Sequence, residues 1–320
     1  MEHAIQPPAA YLPRRNGTLS FNAASPPLYD PENMPVPEEP TSGRSNNQGF
    51  EALTLSPDGR TLYTMTQSAL AQEGGPDDET NQPVRLLEYD ISSAKQPQLK
   101  HEYAVLLPRY TNADGDSLVA AQSELHHIPQ PHGHSSNSSS KNFLVLSRDS
   151  DAGHGQSDSR SIYRHADIFS VTDKTTDLRG KYDGATAAIA SSEGKLRDDI
   201  TPAQYCPFID YNLDSELAKF GLHNGGPQDE HLLNEKWESL ALLPVDPHHH
   251  GAGRREYLLF SFSDNDFMTQ DGELPFPSLT VSRCTSYTDG PGYMNFGDFK
   301  YADESGYNLD SQVLVFRVEF

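Results

Sequence analysis

Acidic side chains recur at matched places along this chain of 320 residues. Three stretches share one pattern: an apolar-flanked glutamate strand, a turn, and a second apolar strand ending in polar residues. They read GFEALTLSPDGRTLYTMTQS from Gly49, QSELHHIPQ with NFLVLSRDSDAG from Gln122, and KWESLALLPVD with YLLFSFSDNDF from Lys236. The strand glutamates are Glu51, Glu124 and Glu238. Carboxylates gathered without matching lysines repel one another unless they are hydrated, share a proton or are bridged by a metal. Calcium is the metal suited to such oxygen ligands. A second role fits the same residues equally well: each carboxylate accepts backbone N–H bonds from a neighbouring sheet and fixes its packing.

The polar ends of the second strands supply further candidates. They are Gln67 with Ser68, Arg148 with Asp149 and Asp151, and Asp264 with Asn265 and Asp266. The Ser263 to Asp266 stretch offers three side-chain oxygen acceptors, which suits calcium but lacks the spacing of an EF-hand loop. Asx-turn formation accounts for the same residues with no ligand. Asp149, Asp264 and Asp266 are thus the candidate metal ligands. Arg148, Arg164 and Lys236 are the cations nearest these acids, able to hold a phosphate or to pair with local carboxylates. The candidate catalytic set is Glu51, Glu124, Glu238, Arg148 and Lys236. His132, His134 and His248 to His250 lie in low-complexity loops, whereas His154 and His165 stand nearer strand ends. No G-x-S-x-G elbow occurs, which disfavours a serine hydrolase of the α/β type.

These residues need strands to position them. Phe50 to Ser56 and Thr61 to Gln67 alternate around a Pro57-Asp58-Gly59 turn, and Leu86 to Ile91 and Glu102 to Leu107 add two strands. Four sequential antiparallel strands make one propeller blade. A strand pattern recurring at long intervals is the mark of a β-propeller whose blades carry insertions. The expected fold is therefore all-β, a β-propeller of four-stranded antiparallel blades. About three blades plus a fragment are present, in a ring left incomplete. Residues 7–48 read as a Pro/Asn-rich extended connection, 49–110 as a blade, and 119–185 as a second blade with a weak fourth strand near Lys181. Residues 186–235 read as an insertion with short helices. There Thr201-Pro202 has the form of a helix start, and Asn212 to Phe220 an amphipathic helix stopped by Gly221. Residues 236–320 read as a third blade with an irregular insertion near 272–296.

The totals narrow the function. Only 35% of residues are hydrophobic, and 24 Pro and 23 Gly describe strands joined by long polar loops. A net charge of −22 opposes nucleic-acid binding, which draws on clustered Lys and Arg, and disfavours anionic membranes. Cys206 and Cys284 form no disulfide framework, and their pairing does not follow from the sequence. The opening MEHAIQPPAAYLPRRNG has no apolar signal core, and no run reaches transmembrane length. Two N-glycosylation triplets, Asn16-Gly17-Thr18 and Asn137-Ser138-Ser139, would suit a secreted surface.

Ten phrases spread along the chain resemble one family. They are NQGFEALTLSPDGRTLYTMTQSAL, RLLEYDIS, AQSELHHI, FLVLSRDSDAGHG, SIYRHADIF, TPAQYC, FGLHNGG, NEKWESLALLPVD, FSFSDNDF and SGYNLDSQVLVFRV. The family is the phytase-like group, also described as having esterase-like activity of phytase. The resemblance covers nearly the whole chain and implies an extracellular, monomeric hydrolase of small-molecule phosphate or carboxylic esters. In such an enzyme calcium would polarise the ester, and Arg148 and Lys236 would stabilise the developing charge. It further implies that this chain corresponds to the C-terminal two-thirds or so of a member. An acidic strand of the Asp-Ser-Glu-Gly-Leu type is then expected upstream, and an N-terminally shortened gene product is one expectation. The segment from Ser278 to Pro291 departs from the family pattern. A non-catalytic propeller that binds a ligand or partner, or an inactive shortened member, is the alternative.

Overall fold

A computed structural model describes residues 5–21, 38–93, 95–129, 140–150, 152–154, 156, 158–246, 255–264 and 311–320. Near the N-terminus Asn16 and Gly17 both take positive φ, 51° and 77°, and turn a hairpin between β1 (Arg14–Arg15) and β2 (Thr18–Leu19). Paired left-handed residues match the twist of such two-residue hairpins. The stretch expected to be a surface connection is thus partly structured and anchored. Tyr11 is buried, and its hydroxyl donates to Glu102 Oε1 at 2.8 Å.

Four strands then form a sheet in sequence order: β3 (Phe50–Leu55), β4 (Thr61–Thr66), β5 (Pro83–Asp90) and β6 (Gln98–Leu106). The turn between β3 and β4 is held by Asp58, whose Oδ1 accepts from Ser56 Oγ at 2.6 Å and from the Arg60 amide at 3.1 Å. A short hairpin of β7 (Arg109–Thr111) and β8 (Ser117–Val119) leads to a second four-stranded sheet. That sheet comprises β9 (Ala121–His127), β10 (Lys141–Arg148), β11 (Arg164–Val171) and β12 (Gln204–Asp210), again in order. After a single-turn helix, α1 (Asp214–Leu217), come β13 (Trp237–Pro244), β14 (Glu256–Ser263) and β15 (Val313–Glu319), the three strands of the third sheet among the described residues. Every ladder in the three sheets is antiparallel.

Two expectations change. The second sheet takes its fourth strand from Gln204–Asp210, not from the region of Lys181, so Thr201-Pro202 precedes a strand and not a helix. The strand was hidden because it is an outer strand, largely exposed, with Pro207 inside it. Proline lacks the ladder N–H and is tolerated at edges and bulges. Here it falls where the register slips between Ala166 and Ile168. The helix is also shorter than expected: α1 and a 3-10 turn, Ala218–Phe220, end at Gly221 with φ 74°. Cys284 and the 272–296 insertion lie outside the described residues.

The sheets stack face to face. Phe143 and Val145 of β10 join Tyr63, Met65, Val84 and Leu86 of the first sheet in one core cluster. Leu144 and Leu146, on the opposite face of the same strand, join Trp237, Leu240 and Leu259 of the third. A strand buried on both faces carries an unbroken apolar run, which is why FLVL shows no alternation. The outer faces of the first and third sheets keep apolar residues in solvent, including Leu53 and Leu55 on one and Val313 and Val315 on the other.

The opening strands of the three sheets run side by side, with β9 between β3 and β13. Side chains stitch them together. Ser123 Oγ donates to Trp237 O at 2.7 Å, Gln122 Nε2 to Thr66 O at 2.9 Å, and the His127 amide to Thr54 Oγ1 at 3.2 Å.

Candidate functional site

Each opening strand carries a β-bulge, and the bulges decide where its acids stand. In β3 the register jumps from Phe50 to Ala52, leaving Glu51 as the extra residue. In β13 it jumps from Trp237 to Ser239, leaving Glu238. In β9 it jumps from Gln122 to Glu124, leaving Ser123. Ser123, not Glu124, is therefore the register equivalent of Glu51 and Glu238. A bulge re-aims the residue it inserts, so one motif letter at three matched sequence positions yields two orientations.

Glu124 accepts a hydrogen bond from the Leu125 amide at 2.7 Å. Burial raises its pKa to about 7; the Leu125 and Leu53 amides oppose the rise, and the Glu238 and Glu51 charges add to it. Glu51 is also raised, first by partial burial and then by Glu238, with Arg148 and Lys236 opposing. The Glu51 and Glu238 charges thus bear on Glu124, and the Glu238 charge on Glu51.

Arg148, the last residue of β10, is the hub. Its Nη2 donates to Glu238 Oε1 at 2.7 Å and its Nη1 to Glu235 Oε1 at 3.0 Å. The second Glu235 oxygen accepts from Gln156 Nε2 at 2.9 Å. Arg148 and Glu235 are both about nine-tenths buried, so removing either one leaves the other charge buried and uncompensated. Beside this group opens a cleft of about 380 Å³, its lining including Arg148, Glu235, Lys236, Gln122, Gln67 and Gln156. Gln67 was among the strand-end candidates, whereas Glu235, Gln122 and Gln156 were missed as site residues from sequence. Glu235 stood in plain view three residues before Glu238 in NEKWES, and Gln122 opened the QSEL phrase.

The candidate metal ligands are arranged differently. Asp149 is buried, and its carboxylate accepts from Ser161 Oγ at 2.7 Å, Ile162 N at 2.5 Å and Tyr163 N at 3.2 Å. It closes its own hairpin. The Asp264 amide donates to Lys236 O at 2.6 Å, sealing the β13–β14 end. Asp151, Asn265 and Asp266 lie outside the described residues. Among the described residues no group of three or more His, Cys, Asp or Glu side chains is placed to hold a metal ion. The Asp149 oxygens are taken by protein donors, and Glu238 is held by Arg148.

Arg164 is fully buried, its Nη2 donating to Ala152 O at 3.1 Å, and burial pushes its pKa down to about 10. His165 stacks on Tyr163 with centroids 4.1 Å apart, its Nδ1 lying 3.3 Å from Asp167 Oδ1. His154 is buried beside Asn234, to which it forms an isolated bridge. A second buried charge cluster sits elsewhere: Arg85 Nε donates to Glu73 Oε2 at 3.1 Å and its Nη1 to Glu102 Oε1 at 3.0 Å. The Ile189 amide adds a bond to Glu73 Oε1 at 2.7 Å. All three charged side chains are fully buried, and the cluster ties the N-terminal segment and residues near 189 to the first sheet.

A model of the phytase-like family, described as esterase-like activity of phytase, matches residues 5–267. A protein of Arthroderma benhamiae described as an uncharacterized secreted protein is 54% identical over 280 residues, covering 85% of this chain and 52% of the relative. The chain therefore spans about half the length of that relative. No solved structure matches. No helix among the described residues is long and apolar enough to cross a membrane.

Proposed function

The chain belongs to the phytase-like family, and on that premise we propose that it is part of a secreted β-propeller that hydrolyses phosphate or carboxylic esters in the cleft beside Arg148. Three face-packed antiparallel sheets with adjoining first strands support the propeller, since innermost strands of successive blades neighbour one another around an axis. In such a ring the apolar outer faces of the first and third sheets pack on further blades. The secreted relative supports the extracellular setting.

The observation that carries the hydrolase reading is the placing of Arg148 between Glu235 and Glu238 at a polar cleft that Lys236 also lines. Arg148 and Lys236 face the phosphoryl or carbonyl oxygens of the ester and offset the charge that grows on them in the transition state. Glu235, which lines the cleft, takes a proton from the attacking water. Glu51 and Glu238 tune the field around the guanidinium. Glu124, raised to about 7, holds a proton that is exchangeable near neutral pH.

One observation favours a binding role without catalysis: the Arg148 guanidinium is already bridged through Nη1 and Nη2 to two carboxylates, which joins β10 to Glu235 and to β13 as it stands. The two readings separate in one assay. Turnover of a phosphomonoester and of a short-chain aryl ester is measured for the full chain and for Arg148→Lys and Glu235→Gln, each with added calcium and with chelator. Hydrolysis lost in both variants, with an unchanged circular dichroism spectrum, supports the hydrolase. A folded protein inactive on both substrates under both conditions rejects it in favour of a binding propeller.

A further inference from the structure

We propose that Asn16 is an N-glycosylation site, its side-chain amide joined to an oligosaccharide on the exposed tip of the β1–β2 hairpin. Asn16-Gly17-Thr18 is an acceptor triplet, and every residue of it is exposed. The turn projects into open space: a Cβ built on Gly17 meets no atom within 4 Å. The hairpin is also held firmly from below, which keeps the tip outward. Arg15 Nη1 donates to Glu39 O at 2.7 Å, the Arg14 amide donates to Ser42 O at 2.8 Å, and the Thr41 amide donates to Arg14 O at 2.8 Å.

A plain structural demand explains part of the triplet. Asn-Gly is the favoured pair for a two-residue turn with two positive φ angles, so Asn16 and Gly17 are needed for the fold alone. That demand does not extend to Thr18. It opens β2, is exposed, and any strand-forming residue would serve the ladder with Arg15. The hydroxyl two residues after the asparagine is what the oligosaccharide-transferring enzyme of the secretory pathway requires. In the transfer, Asn16 Nδ2 forms a bond to the anomeric carbon of a lipid-diphosphate-linked oligosaccharide. The bond from that carbon to the diphosphate oxygen breaks, the lipid diphosphate leaves, and Nδ2 gives up one proton. Carbohydrate at this tip adds hydrated bulk beside Leu19 and Phe21, two apolar side chains the segment leaves exposed.

The inference takes from the proposed function only the secretory route, and the experiment supplies that route directly. The full chain is directed into the secretory pathway of a yeast host by a cleavable leader. Wild type, Thr18→Val, Thr18→Ser and Asn16→Asp are then compared by mass spectrometry before and after PNGase F. Thr18→Val keeps the β-branched strand residue and the turn, and Asn16→Asp keeps a residue tolerant of the left-handed turn. The expected result is a glycopeptide containing Asn16 in wild type and in Thr18→Ser. It is absent from Thr18→Val and Asn16→Asp, with melting curves within a few degrees of wild type. Secreted, folded wild type with an unmodified Asn16 peptide overturns the proposal, whatever the ester assays show.

Discussion

Glu124→Gln keeps the length of the side chain and an oxygen that accepts the Leu125 amide, and removes the ionisable group. The wild-type carboxyl has an ordinary value of 4.5 and stands at about 7 in the folded protein, chiefly through burial between the opening strands. The folded state therefore binds this proton more tightly than the unfolded chain. Its stabilising contribution is complete below about pH 4.5 and is lost as pH rises through about 7. At 1.36 kcal/mol for each pH unit, the full effect is about 3 kcal/mol. Partial solvent contact of the carboxyl screens this to about 1–2 kcal/mol. Urea unfolding followed by tryptophan fluorescence reads the change directly, because Trp237 is the single tryptophan and is fully buried beside the site. Wild type and variant should match at about pH 4.5, with the variant more stable by about 1–2 kcal/mol at about pH 8. Other titrating groups cancel in the difference. A gap between the two proteins that is the same at both pH values would refute the reasoning.

Two further substitutions test the buried polar network. Asp149→Ala strands the Ser161 hydroxyl and the Ile162 and Tyr163 amides; a loss of about 2–4 kcal/mol in urea unfolding is expected. Arg85→Met leaves Glu73 and Glu102 buried without their counter-ion. It should cost about 3–5 kcal/mol at neutral pH. Burial already raises the pKa of both carboxyls, so part of that loss should return on acidification, when they protonate. An Arg85→Met penalty that stays constant or grows between about pH 7 and about pH 5 would count against the network.

Much of the fold was legible. The hairpin of β3 and β4 announced itself through alternation and through Pro57-Asp58-Gly59, whose aspartate does hold the turn. The apolar run of β10 told correctly of a strand. It did not tell that the strand would be covered by the first sheet on one face and the third on the other. The strand Gln204–Asp210 was missed because an exposed outer strand has little apolar signal and Pro207 argued against it. The acids were recognised by type. The bulge offset that sets Glu124 apart from Glu51 and Glu238 left no mark, since it depends on how each strand pairs.

By itself, then, the sequence determined the β character, the turns and the chemical inventory of the opening strands. Those properties follow from side-chain alternation and from the dihedral limits of glycine, proline and asparagine, all local to a few residues. Tertiary structure decided which of those groups meet. Arg148 joins Glu235 and Glu238 across separations of 87 and 90 residues, while Asp149, its immediate neighbour, is consumed by its own hairpin. Charges choose partners by distance and burial, and both are set only when the three sheets pack together.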